Sequence, residues 1–343
     1  MSFKINNRRY TGSKYKIIKW IDKILEKECP NANSFCDLFA GTGVVTDSVI
    51  NNFSVFYIND FLFSNEVIYK AFFKKENYEL EKIIRLAQKY KSLNLDTIQD
   101  NFISINYGGK FFEYNDAKMI GFIRDDLEKN KSSLNDREFS ILLASLLYSA
   151  DRCSNTVGHY DAYLKNKCLR SSFEFELINP VIKSEDDKRV INITRMDSNE
   201  LVKNLQCDIV YIDPPYSSRQ YSRFYHVLET LVKWNNPTLY GTALKPEPEN
   251  MSDYCSTKAI DAFNELIMDL KCKYIVVSYN NTYNSKSSSS KNKMELDDIL
   301  SVLQQKGKTK KFSIKHQAFN AGKTDLTNHR ELLFVTKVGE KNE

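Results

Sequence analysis

Residues 34–60 contain, in order, a strand pattern, a glycine turn, a helical segment and a second strand pattern. SFCDLF is typical of a short buried strand, AGTG of a tight turn, VVTDSVINN of a helix and SVFYIND of a second strand. Two strands joined through a helix run parallel, because the chain must cross over to pair in the same direction. The sequence therefore predicts an α/β fold built on a parallel sheet.

Three later apolar runs extend this sheet. They are rich in Val, Ile and Tyr, as strands covered by helices on both faces should be: RVINIT (189–194), CDIVYID (207–213) and KYIVVSYN (273–280). Helices are predicted at 13–28, with Ser13 as N-cap, and at 222–234 and 257–270. The alternating runs KFSIKHQAF and ELLFVTKV predict an antiparallel pair, and NSKSSSSKNK (284–293) predicts a loop.

A mostly helical segment interrupts the sheet pattern. From Phe61 to about residue 151 the amphipathic runs lie near 65–91, 116–130 and 136–150, whereas 152–190 has no clear pattern. A chain of 343 residues suits one large α/β domain or a core with an inserted lobe. We therefore predict a core of residues 1–60 and 189–343 and an insert of residues 61–188.

The distribution of charge indicates a polyanionic partner. The net charge is only +5, but residues 1–21 hold six Lys or Arg and no acid, and six Lys without an acid lie between Asp298 and Asp325. Stretches that contain only positive charges predict a local positive surface. Either stretch, taken alone, is also consistent with an ordinary solvated surface rich in lysine.

Composition excludes several classes of protein. No apolar run approaches the roughly 20 residues of a membrane span, and the first residues lack the apolar segment of a secretory signal. The seven cysteines are odd in number and never spaced as CxxC. We expect free thiols in a reducing cytoplasm, with no zinc site and no disulfide framework.

The glycine turn predicts a nucleoside site. In Asp37-Leu38-Phe39-Ala40-Gly41-Thr42-Gly43 the glycines allow a sharp turn and a close approach of backbone to a ligand. The spacing is not GxGxxG, because Thr46 stands where the third glycine would be. Asp60 ends the next strand, where an acid can hold both hydroxyls of a ribose. A structural turn with Asp60 as a helix cap is the alternative.

A second motif, Asp213-Pro214-Pro215-Tyr216, follows the apolar run at 209–212. The carboxyl ends of parallel strands are where α/β sheets place their ligands. Two successive prolines make a rigid corner, so the Asp213 carboxylate and the Pro214 carbonyl form a pair of acceptors for one amino group, beside the flat face of Tyr216. This predicts a site for a planar base with an exocyclic amine; a stiff turn is the alternative.

Together, DLFAGTG and the downstream DPPY resemble the amino-group DNA methyltransferases that use S-adenosylmethionine. Arg9-Tyr10-Thr11-Gly12-Ser13-Lys14 is similar to the N-terminal motif of their Dam-like, alpha-ordered group, which modifies adenine N6, mostly within restriction–modification systems. DPPYSSRQYSRFYHVLETL (213–231) is similar to type II modification methylases. The resemblance spans residues 8–60 and 189–340, and implies a Rossmann-like class I methyltransferase sheet with an inserted, mostly helical target recognition domain.

The resemblance also implies roles for individual residues. The resemblance implies that Asp60 contacts the ribose of S-adenosylmethionine and that Asp197 contacts its adenine. The residues expected at its methionine end are Asp37, Phe39, Gly41, Thr42 and Gly43. Those expected to close over that end are Tyr10, Gly12 and Lys14. Asp197 equally suits a helix N-cap. The catalytic residues would be Asp213, Pro214, Pro215 and Tyr216, and no metal is expected. Phosphate contacts are expected from Arg219 or Arg223, with His226 as a further candidate, and from Lys308, Lys310 and Lys311.

A mechanism consistent with the motif needs only positioning and electrostatics. Asp213 and the Pro214 carbonyl would accept the two amine hydrogens of an adenine flipped out of double-stranded DNA and stacked on Tyr216. The nitrogen could then attack the sulfonium methyl in line. Sequence specificity would reside in the insert, with five polar candidates: Arg152, Asn155, His159, Lys165 and Arg170.

Other functions remain open at this stage. A cytosine-N4 enzyme would use the same two acceptors, but more often has Ser at the position of Asp213. An RNA-modifying enzyme commonly has Asn there. A DNA-binding protein that lost activity is disfavoured by the intact Asp37, Asp213 and Tyr216. A cognate restriction endonuclease is a further partner that the resemblance suggests.

Overall fold

The structure is a computed structural model that describes residues 2–165, 169–282, 291–316 and 329–340, and its chain divides into two compact units. The first, here the sheet unit, comprises Lys14–Phe61, Lys188–Tyr221 and Asn250–Glu343. The second, here the helical unit, comprises Met1–Ser13, Leu62–Asp187 and Ser222–Glu249. Seven strands of the described residues form one sheet in the sheet unit.

The division differs from the predicted one at two places. The breaks at Phe61 and Asp187 lie within one residue of those predicted, but residues 1–13 and 222–249 group with the insert. Backbone hydrogen bonds explain the grouping: Phe3 N–H donates to Leu177 O, and Tyr160 N–H donates to Phe224 O. Which unit carries which function stays a prediction.

The sheet has the spatial order β3-β2-β1-β4-β5-β7-β6. Its strands are β1 (Ser34–Asp37), β2 (Val55–Asn59), β3 (Val190–Thr194), β4 (Ile209–Ile212), β5 (Tyr274–Asn280), β6 (Gly307–Lys315) and β7 (Arg330–Val338). The first five strands in this order pair in parallel, while β7 is antiparallel to both β5 and β6. The predicted parallel sheet and the terminal antiparallel pair are both confirmed.

The strand order reverses between β1 and β4. From β1 the chain continues outward to β2 and β3, and then returns to place β4 on the other side of β1. Open α/β sheets bind their ligands outside the carboxyl ends of the strands at such a switch point. The glycine turn follows β1 and the DPPY motif follows β4, and the register pairs Asp37 with Tyr211. The two motifs thus meet at one edge.

Helices flank the strands in the sheet unit. They are α1 (Ile18–Glu28), α2 (Val44–Val49), α8 (Ser198–Val202), α11 (Ala259–Asp269) and α12 (Leu296–Lys306), numbered in order along the whole chain. Phe263 of α11 and Ile299 of α12 are fully buried in one apolar cluster with Ile212 and Val277 of the central strands. This burial fixes the strand ends that carry the motifs.

The helical unit confirms the predicted helical character of the insert. Its helices are α3 (Phe63–Phe73), α4 (Leu80–Lys91), α5 (Phe102–Tyr107), α6 (Tyr114–Lys129), α7 (Asp136–Cys153) and α10 (His226–Lys233), while α9 (Tyr221–Phe224) crosses the division. α3 packs on α7, with the rings of Phe72 and Tyr148 5.9 Å apart. Among the described residues, no helix is long and apolar enough to span a membrane.

Two predictions of helices were wrong in detail, and one helix was not predicted. Ser13 is not an N-cap, because a 3-10 turn at Tyr15–Ile17 precedes α1. The run 65–91 forms two helices, because Phe72 O accepts the N–H groups of Val181 and Ile182 and so cannot extend α3. We also did not predict α12, although its acidic first turn and buried Ile299, Val302 and Leu303 have helical spacing. Most of the predicted loop 284–293 lies outside the described residues.

Candidate active site

The glycine turn after β1 has the backbone that its sequence predicts. Gly41 and Gly43 have φ angles of +53° and +76°, in the left-handed region that favours glycine. Thr42 between them is buried, and Gly43 N–H closes the turn onto Ala40 O at 2.7 Å. Phe39 is half-buried, with its ring edge-on to Tyr254 at 5.1 Å. The backbone therefore curves tightly at the switch point.

Asp37 lies beneath this turn and is almost fully buried. Its Oδ2 accepts hydrogen bonds from the N–H and the hydroxyl of Thr46, at 3.2 and 2.8 Å. Burial raises the pKa of Asp37 to about 7, although the Thr46 bonds lower it. The structure thus gives Asp37 a role in fixing the start of α2, and its predicted cofactor contact stays a prediction.

The ends of β2 and β3 carry the two acids assigned to the nucleoside. Asp60 Oδ2 accepts the Gly41 N–H at 2.9 Å, so this acid also braces the glycine turn. Asp197 Oδ1 accepts the Asn199 N–H at 2.9 Å and caps α8, which confirms its capping role. A predicted site residue therefore lies at the carboxyl end, or within three residues beyond it, of each of the four adjacent parallel strands β3, β2, β1 and β4.

Asn59, which the sequence analysis missed, joins the ends of three of these strands. Its Nδ2 donates to Leu38 O and Met196 O, both at 3.1 Å. Its Oδ1 accepts from the Thr194 hydroxyl at 2.8 Å and the Met196 N–H at 3.1 Å. Because Asn59 is fully buried, these four bonds fix the site edge. The sequence signal that could have identified Asn59 was a side-chain amide at the end of a strand pattern.

In the DPPY motif, Asp213 is paired with a lysine. Lys14 Nζ lies 2.7 Å from Asp213 Oδ2, and the Tyr216 hydroxyl donates to Asp213 Oδ1. The Lys14 ammonium also lies 5.0 Å from the centre of the Tyr216 ring. The resemblance implies that Lys14 contacts the methionine end of a cofactor, and the motif predicts only a flat surface for Tyr216. The structure shows both residues bonded to the central carboxylate.

Burial and charge set the ionisation of this pair. Burial raises the pKa of Asp213 above its usual value, and the Lys14 ammonium only partly offsets this. Burial acts in the opposite sense on Lys14, but the Asp213 and Glu331 carboxylates together raise the pKa of Lys14 above its usual value. Lys14 is therefore held as an ammonium ion inside the site.

Neighbouring strands hold Tyr216 in place. Its hydroxyl lies 3.3 Å from Ser278 Oγ of β5, and its ring is edge-on to Tyr279 at 4.6 Å. Its carbonyl accepts the Lys293 N–H at 2.8 Å. Pro214 is buried and Pro215 half-buried. The motif is consequently a rigid corner, as its two prolines predict.

Several predicted residues belong to the helical unit. Tyr10 is stacked on Tyr225 with ring centres 4.7 Å apart, and Gly12 has a φ of +84°. Arg223 donates to Pro246 O. His226 is enclosed between the carbonyls of Arg223 and Ala243, and burial lowers its pKa to about 4. His226 therefore serves the packing of that unit.

Basic residues of the sheet unit lie in two places. Arg219 is half-buried beyond the DPPY motif. On the edge strand β6, alternation places Lys308 and Lys310 on one face and Lys311 on the other. Lys310 Nζ is 2.6 Å from Glu28 Oε2, and Lys311 lies 5.8 Å from the Phe334 ring centre. The three lysines thus lie on both faces of β6, and their contacts to phosphate stay a prediction.

The five candidates for sequence recognition separate into two groups. Arg152 is paired with Glu176, and Asn155 is buried with its Nδ2 donating to Lys110 O and Leu164 O. Asn155 therefore serves the packing of the helical unit. Arg152, Lys165 and Arg170 are exposed, and His159 is half-buried and stacked on Phe224.

The strand order, the glycine turn and the DPPY corner together define a Rossmann-like class I methyltransferase fold. A family profile described as D12 class N6 adenine-specific DNA methyltransferase matches residues 10–294. This match includes both motifs and the insert between them. The chain belongs to this family.

Similar proteins bear related names. The modification methylase StsI of Streptococcus sanguinis is 34% identical over 288 residues, covering 80% of this chain and 44% of that protein. The type II methyltransferase M.FokI of Planomicrobium okeanokoites is 34% identical over 289 residues, covering 79% and 44%. This chain thus spans less than half the length of either. The type II methyltransferase M.NlaIII of Neisseria lactamica is 28% identical over 336 residues, covering 94% of this chain and 95% of that protein.

Proposed function

We propose that this chain transfers a methyl group from S-adenosylmethionine to adenine N6 within a specific double-stranded DNA sequence, as the modification enzyme of a restriction–modification system. The observation that carries the proposal is the meeting of the glycine turn and the DPPY corner on the adjacent strands β1 and β4, at the switch point of the sheet. Family membership supports the choice of adenine and DNA.

The residues around the glycine turn fit S-adenosylmethionine. Gly41 and Gly43 adopt positive φ angles that favour glycine and let the backbone approach a ligand closely. Asp60, just after β2, suits a ribose, and Asp197, shortly after β3, suits an adenine ring. Phe39 and Thr42 flank the turn, with Asp37 beneath it. When bound, this cofactor supplies an electrophilic methyl group on a sulfonium. Tyr10, Gly12 and Lys14 remain proposed contacts to its methionine end.

The chain's own part in the reaction centres on Asp213. The adenine amino group is a weak nucleophile, because its lone pair is conjugated with the ring. Acceptance of its hydrogens by the Asp213 carboxylate and the Pro214 carbonyl favours a tetrahedral nitrogen with a free lone pair. The same carboxylate stabilises the positive charge that develops on the nitrogen, and Pro215 keeps the corner rigid.

Both Asp213 oxygens are already hydrogen-bonded in the structure, to Lys14 and to Tyr216. Each carboxylate oxygen has a second lone pair, so the target amine can be accepted beside these donors or in place of one of them. The Tyr216 hydroxyl can give up its hydrogen bond to Asp213 while the Tyr216 ring stacks on a base flipped out of the duplex, since aromatic side chains hold such bases. Arg219, Arg223 and the β6 lysines are proposed phosphate contacts. A cognate endonuclease and a bacterial cytoplasmic location follow from the proposed role.

The proposal is tested by nucleoside analysis. The protein is incubated with methyl-labelled S-adenosylmethionine and a mixture of double-stranded DNA and RNA, and the nucleic acids are hydrolysed to nucleosides. Label in N6-methyladenine from DNA is the expected result. Label in N4-methylcytosine would support the cytosine enzyme that shares the two acceptors, label in RNA would support an RNA enzyme, and no label would support a binding protein.

We expect Asp60→Ala to weaken the binding of S-adenosylmethionine by about tenfold or more, because a carboxylate that holds ribose hydroxyls contributes charged hydrogen bonds. Loss of its bond to the Gly41 N–H adds to the effect. Affinity for DNA should be unchanged. Calorimetric titration of each ligand checks both parts. Unchanged cofactor affinity would show that Asp60 only braces the glycine turn.

We expect substitutions in the helical unit to change the methylated sequence. Replacing His159, Lys165 or Arg170 with alanine should relax one position of that sequence, since losing a base contact costs about 1–3 kcal/mol of discrimination.

Neutralising Lys308, Lys310 and Lys311 should instead weaken binding to all sequences and flatten its salt dependence. Methylation-aware sequencing and salt titration measure the two effects. If the lysines alter the sequence and the insert variants alter only yield, the assignment is wrong.

A further inference from the structure

The loop of residues 158–161 carries His159, one of the recognition candidates, and the segment 222–249 holds this loop although it lies outside the predicted insert. Phe224 O accepts the Tyr160 N–H at 2.7 Å. The Phe224 ring is stacked on the His159 ring, with centroids 4.5 Å apart. Two successive residues of the loop are therefore fixed by one residue that follows the DPPY motif.

Tyr225, the next residue, joins the same loop to the N-terminal motif. Its hydroxyl donates to Gly158 O at 3.4 Å and accepts the Thr11 N–H at 2.8 Å. A phenol has one proton to donate and lone pairs that accept, so both bonds can form together. The Tyr225 ring is stacked on Tyr10, with centroids 4.7 Å apart. One fully buried side chain of the helical unit thus contacts both segments.

Contacts from the same two segments fix the ends of the loop. Before it, Arg9 Nη1 donates to Thr156 O at 3.3 Å and Arg9 Nη2 donates to Ser154 Oγ at 2.5 Å. At its far end, Asp161 is ion-paired with Lys245. The Tyr225 hydroxyl acts on the middle of the loop, between these two attachments.

The backbone at Gly158 makes the loop sensitive to this hydroxyl. Gly158 has a φ of +102°, and glycine has the greatest conformational freedom of any residue. Among the described residues, no atom lies within 4 Å of the position where a Cβ would stand at Gly158. The bond to its carbonyl oxygen therefore restrains a residue whose own packing leaves it room to move.

Sequence discrimination depends on such restraint. A base contact distinguishes one base pair from another only when the side chain that makes it is held in place by its surroundings. Binding surfaces that can repack accept several partners instead. A loop that is fixed at both ends and in the middle suits the first behaviour.

We propose that Tyr225 is a positioning residue that determines sequence specificity, because its hydroxyl holds the 158–161 loop in the one geometry that reads the target sequence. Tyr225 is fully buried and acts through the loop without touching DNA. This inference rests on the proposed function, because it concerns how the DNA sequence to be methylated is chosen.

Tyr225→Phe tests the proposal, since it keeps the ring stacked on Tyr10 and removes only the hydroxyl. The measured quantity is the ratio of kcat/KM for the methylated sequence to that for sequences with one changed base pair. We expect this ratio to fall about tenfold, the equivalent of one hydrogen bond. A purely structural role would lower kcat/KM for all sequences alike and leave the ratio unchanged. Lys245→Met, which releases Asp161 at the far end of the loop, should lower the same ratio.

Tyr148→Phe is the matched control. Tyr148 is also a buried tyrosine of the helical unit, and its hydroxyl donates to Ile5 O at 2.8 Å. Its loss should leave the discrimination ratio at the value of the unaltered chain. An unchanged ratio in Tyr225→Phe, or an equal fall in Tyr148→Phe, would overturn the inference.

Hydrogen exchange of the free protein tests the link without DNA or activity. Tyr225→Phe should speed exchange of the Thr11 amide, which loses its acceptor, and of the Tyr160 amide, because the loop opens more often. Unchanged exchange at Tyr160 would overturn the inference. Absence of adenine methylation by the unaltered chain would instead overturn the proposed function, and the exchange rates would still decide whether Tyr225 holds the loop.

Discussion

Replacing Asp213 with alanine is expected to abolish methyl transfer while leaving the binding of S-adenosylmethionine nearly intact. The carboxylate acts on the target amine, and removing a preorganised electrostatic group of this kind usually costs about 10²-fold or more in rate. The variant also leaves the Lys14 ammonium without its 2.7 Å partner. Single-turnover transfer of labelled methyl groups to DNA measures the rate, and calorimetric titration measures cofactor affinity.

The control for this prediction is Asp298→Ala, since Asp298 is an exposed acid in the first turn of α12 in the same unit. It should keep the full rate. An Asp213→Ala variant that retained more than about a tenth of the rate would contradict the electrostatic role. A variant that lost both rate and cofactor binding would show that the Asp213–Lys14 pair supports the site as a whole.

Replacing Asn59 with leucine is expected to cost about 3–5 kcal/mol in the free energy of unfolding. The substitution removes four hydrogen bonds at the ends of β1 and β3, one of them buried and three part-buried, and each such bond contributes about 0.5–1.5 kcal/mol. Urea denaturation measures the loss. Asn52→Leu, at an exposed position before β2, is the matched control. A loss below about 1 kcal/mol in Asn59→Leu would mean that the strand ends are held by other contacts.

The fold could be predicted where local pattern and chain direction decide it. The strand, glycine turn and helix at 34–52 are local, and a crossover of that kind permits only a parallel pair. The apolar runs that form β4 and β5 identified central strands, because every residue of both strands is buried. The break after Phe73 could not be predicted, because its cause is the bonding of Phe72 O to Val181 and Ile182, far along the chain.

The same distinction holds for the candidate site. The turn at Gly41 and Gly43 and the corner at Asp213 were evident from residue types and spacing. The ion pair of Asp213 was not, because Lys14 lies far from the DPPY motif along the chain and meets Asp213 only in the folded protein. Buried acids such as Asp37 gain a structural role from hydrogen bonds that no spacing predicts.

The most direct test of the central claim is sequencing that detects modified bases in double-stranded DNA after incubation with S-adenosylmethionine and this protein. Asp213→Ala serves as the blank under the same conditions. The account predicts N6-methyladenine at one short sequence in DNA treated with the unaltered chain, and none in DNA treated with the variant. Methylation of cytosine N4, or equal adenine methylation by both proteins, would contradict the assignment of the Asp213 carboxylate to the adenine amine.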